Sequence, residues 1–216
     1  MVQMFGRMAR VPVTARQKFN EAAYFYNAML KHRLNVIIFP YYLSAFLSAL
    51  RSVTYYLQKQ GAHNEQFETW YSQKRAEMQA DPVLKMLQKN RDAVVHREPF
   101  DLFFNRSFKM PEKYGDYIET KFFEQIEDQT PEGVITTRIR VGKDAPEEQV
   151  EPWITWDFTE DDHEDVINHC YVGLERLDAI LKELETRRAE MGLVADEEIP
   201  LLQEPENDEP VQNGAA

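Results

Sequence analysis

Between Pro40 and Gly61 the residues Leu43, Phe46, Leu47, Leu50, Val53 and Leu57 fall three or four apart, the spacing that lines one face of an α-helix. A stripe this regular must lie against other apolar faces, so it narrows the fold class before any other feature is considered. Neighbouring stretches share the period. Residues 15–38 follow the capping residue Thr14 and place Phe19, Ala22, Phe25 or Tyr26, Met29 and Leu30 on one side. Residues 65–79 present Phe67, Trp70, Tyr71 and Met78. Residues 82–97 begin at the start signal Asp81-Pro82, stop before Pro99, and carry Leu84, Leu87, Arg91 and Val94 on one stripe. Short connections between such helices predict a mainly α chain, an antiparallel four- to five-helix bundle.

The period then changes. Ile135, Thr137, Ile139 and Val141 alternate with Thr136, Arg138 and Arg140, as in a strand. Residues 142–149 read as a turn-rich connection, 153–158 as an aromatic strand, and 118–126 as a further strand whose pattern also permits a helix. A small β-hairpin or meander is therefore expected as an insertion at about residues 116–158. A long helix is expected at 160–191, capped by Thr159, with Val166, Cys170, Leu174, Leu177, Leu181 and Leu184 as its stripe. Residues 1–13 read as a flexible arm, 14–191 as the helical domain, and 192–216, with seven acids, three prolines and no base, as a disordered acidic tail.

The net charge of −12 is unevenly spread. Residues 1–111 hold 16 Lys and Arg against 8 Asp and Glu, and residues 112–216 hold 9 against 29. The basic half suits a polyanion, and the acidic half suits shielding of that surface or a basic partner; internal compensation explains the split equally well. The single cysteine, Cys170, gives no disulfide framework and points to the cytoplasm. Residues 34–50 lack charge, but Asn35, Pro40, two tyrosines and two serines interrupt them, so they read as two core helices meeting at Pro40 rather than a membrane span.

Chemistry concentrates in Arg91-Asp92-Ala93-Val94-Val95-His96. Arginine is a permanent forked binder of phosphate, and histidine exchanges a proton near neutral pH, the two needs of phosphodiester transfer. Asp92 and His96 are four apart, within reach for a carboxylate to orient an imidazole. The bland reading is a helix-end salt bridge with a solvated histidine. Other candidates are weaker. His163, His169 and Cys170 lack metal-ligand spacing, and no metal or cofactor is expected. Asp161, Asp162, Glu164 and Asp165 read as acids of a helix first turn. Trp70, Tyr71, Tyr41, Tyr42, Tyr55 and Tyr56 could stack bases but suit a core or interface better. No Gly-rich phosphate loop or nucleophile elbow occurs, which removes the common nucleotide-hydrolase and serine-hydrolase signatures.

A helical unit whose fourth helix ends in Arg91-Asp92-x-x-x-His96 resembles the HEPN superfamily, as do Tyr41–Arg51, Phe67–Lys74 and Asp81–His96 taken together. The resemblance covers residues 15–98, and the 160–191 helix would complete the bundle. It implies a metal-independent endoribonuclease acting as a homodimer, often the toxin or defence component of a system with a protein antitoxin. Arg91 would hold the scissile phosphate of RNA, His96 would act as general base or acid, and Asp92 would take the intervening polar position. Many members of the superfamily are non-catalytic, so the alternative is a HEPN-like scaffold binding a partner protein or a nucleotide, with Arg91 as an anion clamp.

Overall fold

The computed structural model describes residues 13–96, 102–108, 111, 123–142, 144–158 and 164–193. Among them the protein is mainly α, with five helices and two small antiparallel sheets. The helices are α1 (Ala15–Lys31), α2 (Phe39–Gln60), α3 (Glu65–Ala80), α4 (Pro82–His96) and α5 (Val166–Arg187). The strands are β1 (Phe103–Phe108), β2 (Phe123–Gln129), β3 (Ile135–Val141), β4 (Glu148–Val150) and β5 (Pro152–Asp157). No described helix is long and apolar enough to cross a membrane.

The expected stripes are largely the buried faces, except that Leu30 of α1 is exposed, and the Val94 side chain lies outside the described residues. Leu43, Phe46, Leu47, Leu50, Val53 and Leu57 of α2 join Phe67, Trp70 and Tyr71 of α3, Leu87 of α4 and the α5 stripe in one core. Helix α1 packs on α2 and α5, and α4 packs on α2, α3 and α5. Thr14 forms the expected cap: its hydroxyl accepts from the Gln17 amide, and the Gln17 side chain accepts from the Thr14 amide.

Several boundaries differ from expectation. The first helix ends at Lys31 rather than near Ile38, because Asn35 takes over the backbone. Its Oδ1 accepts from the amides of Ile37 and Ile38 at 3.0 and 2.9 Å, and its Nδ2 donates to the Glu132 carbonyl at 3.0 Å. A β-bridge from Asn35 to Val134 fastens this turn to the sheet. The break between the first two helices therefore lies before Phe39, and Pro40 sits in the first turn of α2, where its missing N–H costs nothing. The last helix starts at Val166, capped by Asp165 instead of Thr159, and ends at Arg187. The 153–158 strand does not extend the meander. β2, β3 and β4 form it, while β5 pairs with β1, a strand the sequence reading missed. β4 begins inside the stretch 142–149 that the sequence marks as a turn-rich connection. The expected strand at 118–126 overlaps β2, which continues to Gln129; residues 118–122 lie outside the described residues, as do the arm at 1–12 and the tail from 194. Residues 192 and 193, assigned to the tail, still belong to the folded part: Leu193 packs against the core, and its amide donates to the Arg188 carbonyl.

Gly61 ends α2 with an ordinary φ of −99°, so a left-handed backbone is not why glycine stands there. A Cβ at this position would meet the Phe67 ring at 1.9 Å, and Phe67 is buried and stacked on Tyr71. Gly61→Ala is expected to cost about 1 to 3 kcal/mol through overpacking. Thermal melts would show a drop of several degrees, and an unchanged melt would mean that Phe67 can swing aside freely.

Candidate functional site

Helix α4 carries the motif, and its start and its packing fix where the motif lies. Asp81 Oδ1 accepts from the amides of Val83 and Leu84 at 2.9 and 3.0 Å, which caps the helix. Leu87 is buried against α5, where a Cβ on Gly173 would come within 2.5 Å of its methyl group. Arg91 lies one turn beyond Leu87 on the same stripe. Its side chain is 27% exposed, and its Nη1 donates to the Asp92 carboxylate at 2.8 Å, whereas its Nε is buried and has no hydrogen-bond partner. Asp92 stands at the surface. The expected salt bridge within the motif is thus present, formed by Arg91 and Asp92. His96 is the last residue of α4, one turn beyond Asp92, and its side chain lies outside the described residues. At about 100° per residue, position 96 lies roughly 140° around the axis from position 91, so one chain does not bring the two to a single face.

Arg91 opens instead onto a cavity of about 240 Å³ between α2, α3 and α4. Leu47, Leu50, Met78, Leu84, Leu87 and Leu177 give its apolar surface. Arg51, Arg75 and Arg91 give its charge, and among the described residues no Asp or Glu lines it. Thr54, Tyr71, Gln58, Gln79 and Gln88 add neutral polar groups. Arg51 Nη1 donates to Thr54 Oγ1 at 2.6 Å, and the Tyr71 hydroxyl donates to the Thr54 carbonyl at 3.0 Å. Burial pushes the Tyr71 phenol above its ordinary range, and the charges of Arg51 and Arg75 oppose that rise. The sequence reading missed Arg51 and Arg75. The signal was available: Leu47, Leu50, Arg51, Thr54 and Gln58 follow one another at helical spacing, so an apolar stripe turns cationic and polar at its edge.

The remaining candidates separate. Trp70 and Tyr71 are core residues, and Trp70 Nε1 donates to Glu183 at 2.6 Å. Tyr42 stacks on His32, while Tyr41 and Tyr55 are exposed but about 21 Å apart along α2, too far for one stacking platform. Cys170 is fully buried, and burial pushes its thiol well above the usual range, which removes it as a nucleophile at neutral pH. His169 is buried beside Phe158, and His163, Asp161 and Asp162 lie outside the described residues. Among the described residues no three His, Cys, Asp or Glu side chains gather as a metal site would require. Asp165 is structural: it is buried, caps α5 through the Ile167 amide and pairs with Arg33. Glu164 is exposed.

Comparison with curated proteins and with solved structures returned no match. The family model described as bacteriophage lambda protein ea47 matches residues 8–121. That stretch contains α1 to α4, all three cavity arginines and the whole of Arg91–His96. More than half of the chain follows this one pattern, and the protein belongs to the bacteriophage lambda ea47 family.

Proposed function

We propose that this chain is a metal-independent endoribonuclease of HEPN type, an antiparallel helical bundle acting as a homodimer with a composite site. The observation that carries the reading is Arg91, a half-buried guanidinium near the end of α4 with an unpartnered Nε and His96 five residues on. A two-fold pairing of the α4 ends supplies the proximity that one helix cannot, since positions 91 and 96 diverge around its axis. In the reaction, one His96 takes the proton from a ribose 2′-hydroxyl, whose oxygen then attacks phosphorus. The second His96 gives a proton to the departing 5′-oxygen, and Arg91 holds the charged phosphoryl oxygens. The products are a 2′,3′-cyclic phosphate and a 5′-hydroxyl. Such an activity suits a toxin or defence component held in check by a protein antitoxin in the cytoplasm.

A non-catalytic scaffold is the second reading, and one observation favours it: Asp92 already engages the Arg91 guanidinium. RNA cleavage decides between them. The wild type should cut RNA in EDTA, and Arg91→Ala or His96→Ala should each slow it at least about a hundredfold, the lower range for losing a positioned acid or base. Dimers mixed from wild type and His96→Ala should lose nearly all activity, not half, when both histidines serve one site. Full activity in His96→Ala, or a monomer at micromolar concentration, would leave the scaffold reading in place.

A further inference from the structure

We propose that the groove between α2 and α3 is the docking site of residues 196–202 of this same chain, which follow closely on the last described residue, Leu193. A second cavity, of about 210 Å³, shares Gln58, Tyr71 and Arg75 with the one onto which Arg91 opens, so the two make one groove. It runs from Ala62 in the α2–α3 turn, past Arg75 and Arg51, to Leu47 and Met78. Neither Arg51 nor Arg75 pairs with a carboxylate among the described residues. Glu68, the one acid described on the wall, stands two turns before Arg75 on α3. The groove is thus cationic along its middle and apolar at its far end.

The chain leaves the fold at the near end of this groove. Asn64 Nδ2 donates to the Met191 carbonyl at 2.7 Å, and Leu193 packs against the core, so position 193 lies beside the α2–α3 turn. Arg75 is 11 residues along α3 from Asn64 and Arg51 is 10 back along α2 from Gly61, about 15 to 17 Å at about 1.5 Å per residue. Four or five extended residues at about 3.3 Å each cover that span, which sets Glu197 and Glu198 level with the two guanidiniums. Met78 and Leu47 are each 14 residues from the turn, about 21 Å away, where Ile199, Leu201 and Leu202 follow. The segment therefore reads acids first and apolar residues second, the order in which the groove presents cations and then leucine and methionine. Pro200 disfavours helix at Ile199, as a strip laid along a groove requires. The tether holds the segment at an effective concentration on the order of millimolar, so contacts too weak to retain a free peptide suffice.

Photo-crosslinking of the full chain carrying Leu201→p-benzoylphenylalanine tests the contact. Irradiation should join position 201 to the α2–α3 groove of the same chain, Met78 foremost, as read by peptide mass spectrometry. Arg51→Glu/Arg75→Glu should cut the yield at least about tenfold at low salt, because like charges then face each other. Both arginines are exposed, so this variant should melt near the wild type. Adding Glu197→Arg/Glu198→Arg should restore most of the yield, which damage to the fold would not allow. Four results each overturn the proposal: no cross-link to the groove, a yield indifferent to the charge reversal, no recovery in the charge-swapped chain, or cross-links only between two chains, which would give the groove to a second copy. Neither Arg91 nor His96 is needed for the contact, so RNA cleavage and docking of the segment can each fail alone.

Discussion

Asp165→Ala is expected to destabilise the protein by about 3 to 5 kcal/mol, the usual cost of removing one partner from a buried ion pair. Asp165 and Arg33 have side chains only 10% and 17% exposed, so solvent screens their attraction little. The loss falls on three elements at once. Arg33 leaves α1 and donates its Nε to the Ile154 carbonyl of β5, and its guanidinium lies 3.9 Å from the ring centre of Trp153. Asp165 accepts from Arg33, from the Ile167 amide at 3.1 Å and from the Trp156 amide at 3.4 Å. Without the carboxylate, Arg33 is left as a desolvated cation and the first turn of α5 loses its cap. A thermal melt should drop by roughly 10 °C for a chain of this size. Asp165→Asn separates the two effects, since it retains the capping oxygen and discards the charge; it should recover a minority of the loss. A loss below about 1 kcal/mol in Asp165→Ala would mean that Arg33 and α5 are held by other contacts.

Trp156→Ala should be as damaging, at about 3 to 5 kcal/mol, because it empties the largest fully buried side chain of the core. The indole lies flat on Phe39 with ring centres 4.2 Å apart and meets Phe104 at 5.3 Å, so one ring joins α2, β1 and β5. Its Nε1 also donates to the Arg33 carbonyl at 2.9 Å. Trp156→Phe keeps most of the stacking and forfeits that bond, and should cost about 1 kcal/mol. Denaturant titrations of both variants give these values directly. The two sites share Arg33, so the double variant Asp165→Ala/Trp156→Ala should lose less than the sum of the single losses. Strict additivity would show that the connection after α1 is not the common element.

Both predictions sit where the sequence was hardest to read. Helical stripes are local: every third or fourth residue in 43–57 is apolar, and no distant residue is needed to recognise the face they make. The caps Thr14 and Asp81 and the helix stop at Gly61 are local in the same sense. Asn35, by contrast, reads as one polar residue inside an apolar run, and becomes a helix breaker because the Glu132 carbonyl arrives from 97 residues away. The sequence points to Thr159 as the cap and to Asp165 as an acid of the first turn. Arg33 and the Trp156 amide meet at Asp165, and the helix begins there.

The candidate site divides along the same line. The sequence by itself determined that Arg91 and Asp92 are helical neighbours with His96 one turn beyond Asp92, because helix geometry fixes the spacing. It also determined that an arginine would stand on the apolar stripe of that helix. What that arginine faces was decided only by tertiary packing. Arg51, Arg75 and Arg91 lie 24 and 16 residues apart on three helices, and nothing in their spacing marks them as a group. They converge because Leu47 and Leu50, Tyr71, and Leu87 bury toward one core, which carries the cations next to them on each helix to the wall of the same cavity. Apolar periodicity is written residue by residue, whereas charge proximity between helices depends on how their buried faces rotate into contact, and only the folded chain sets that rotation.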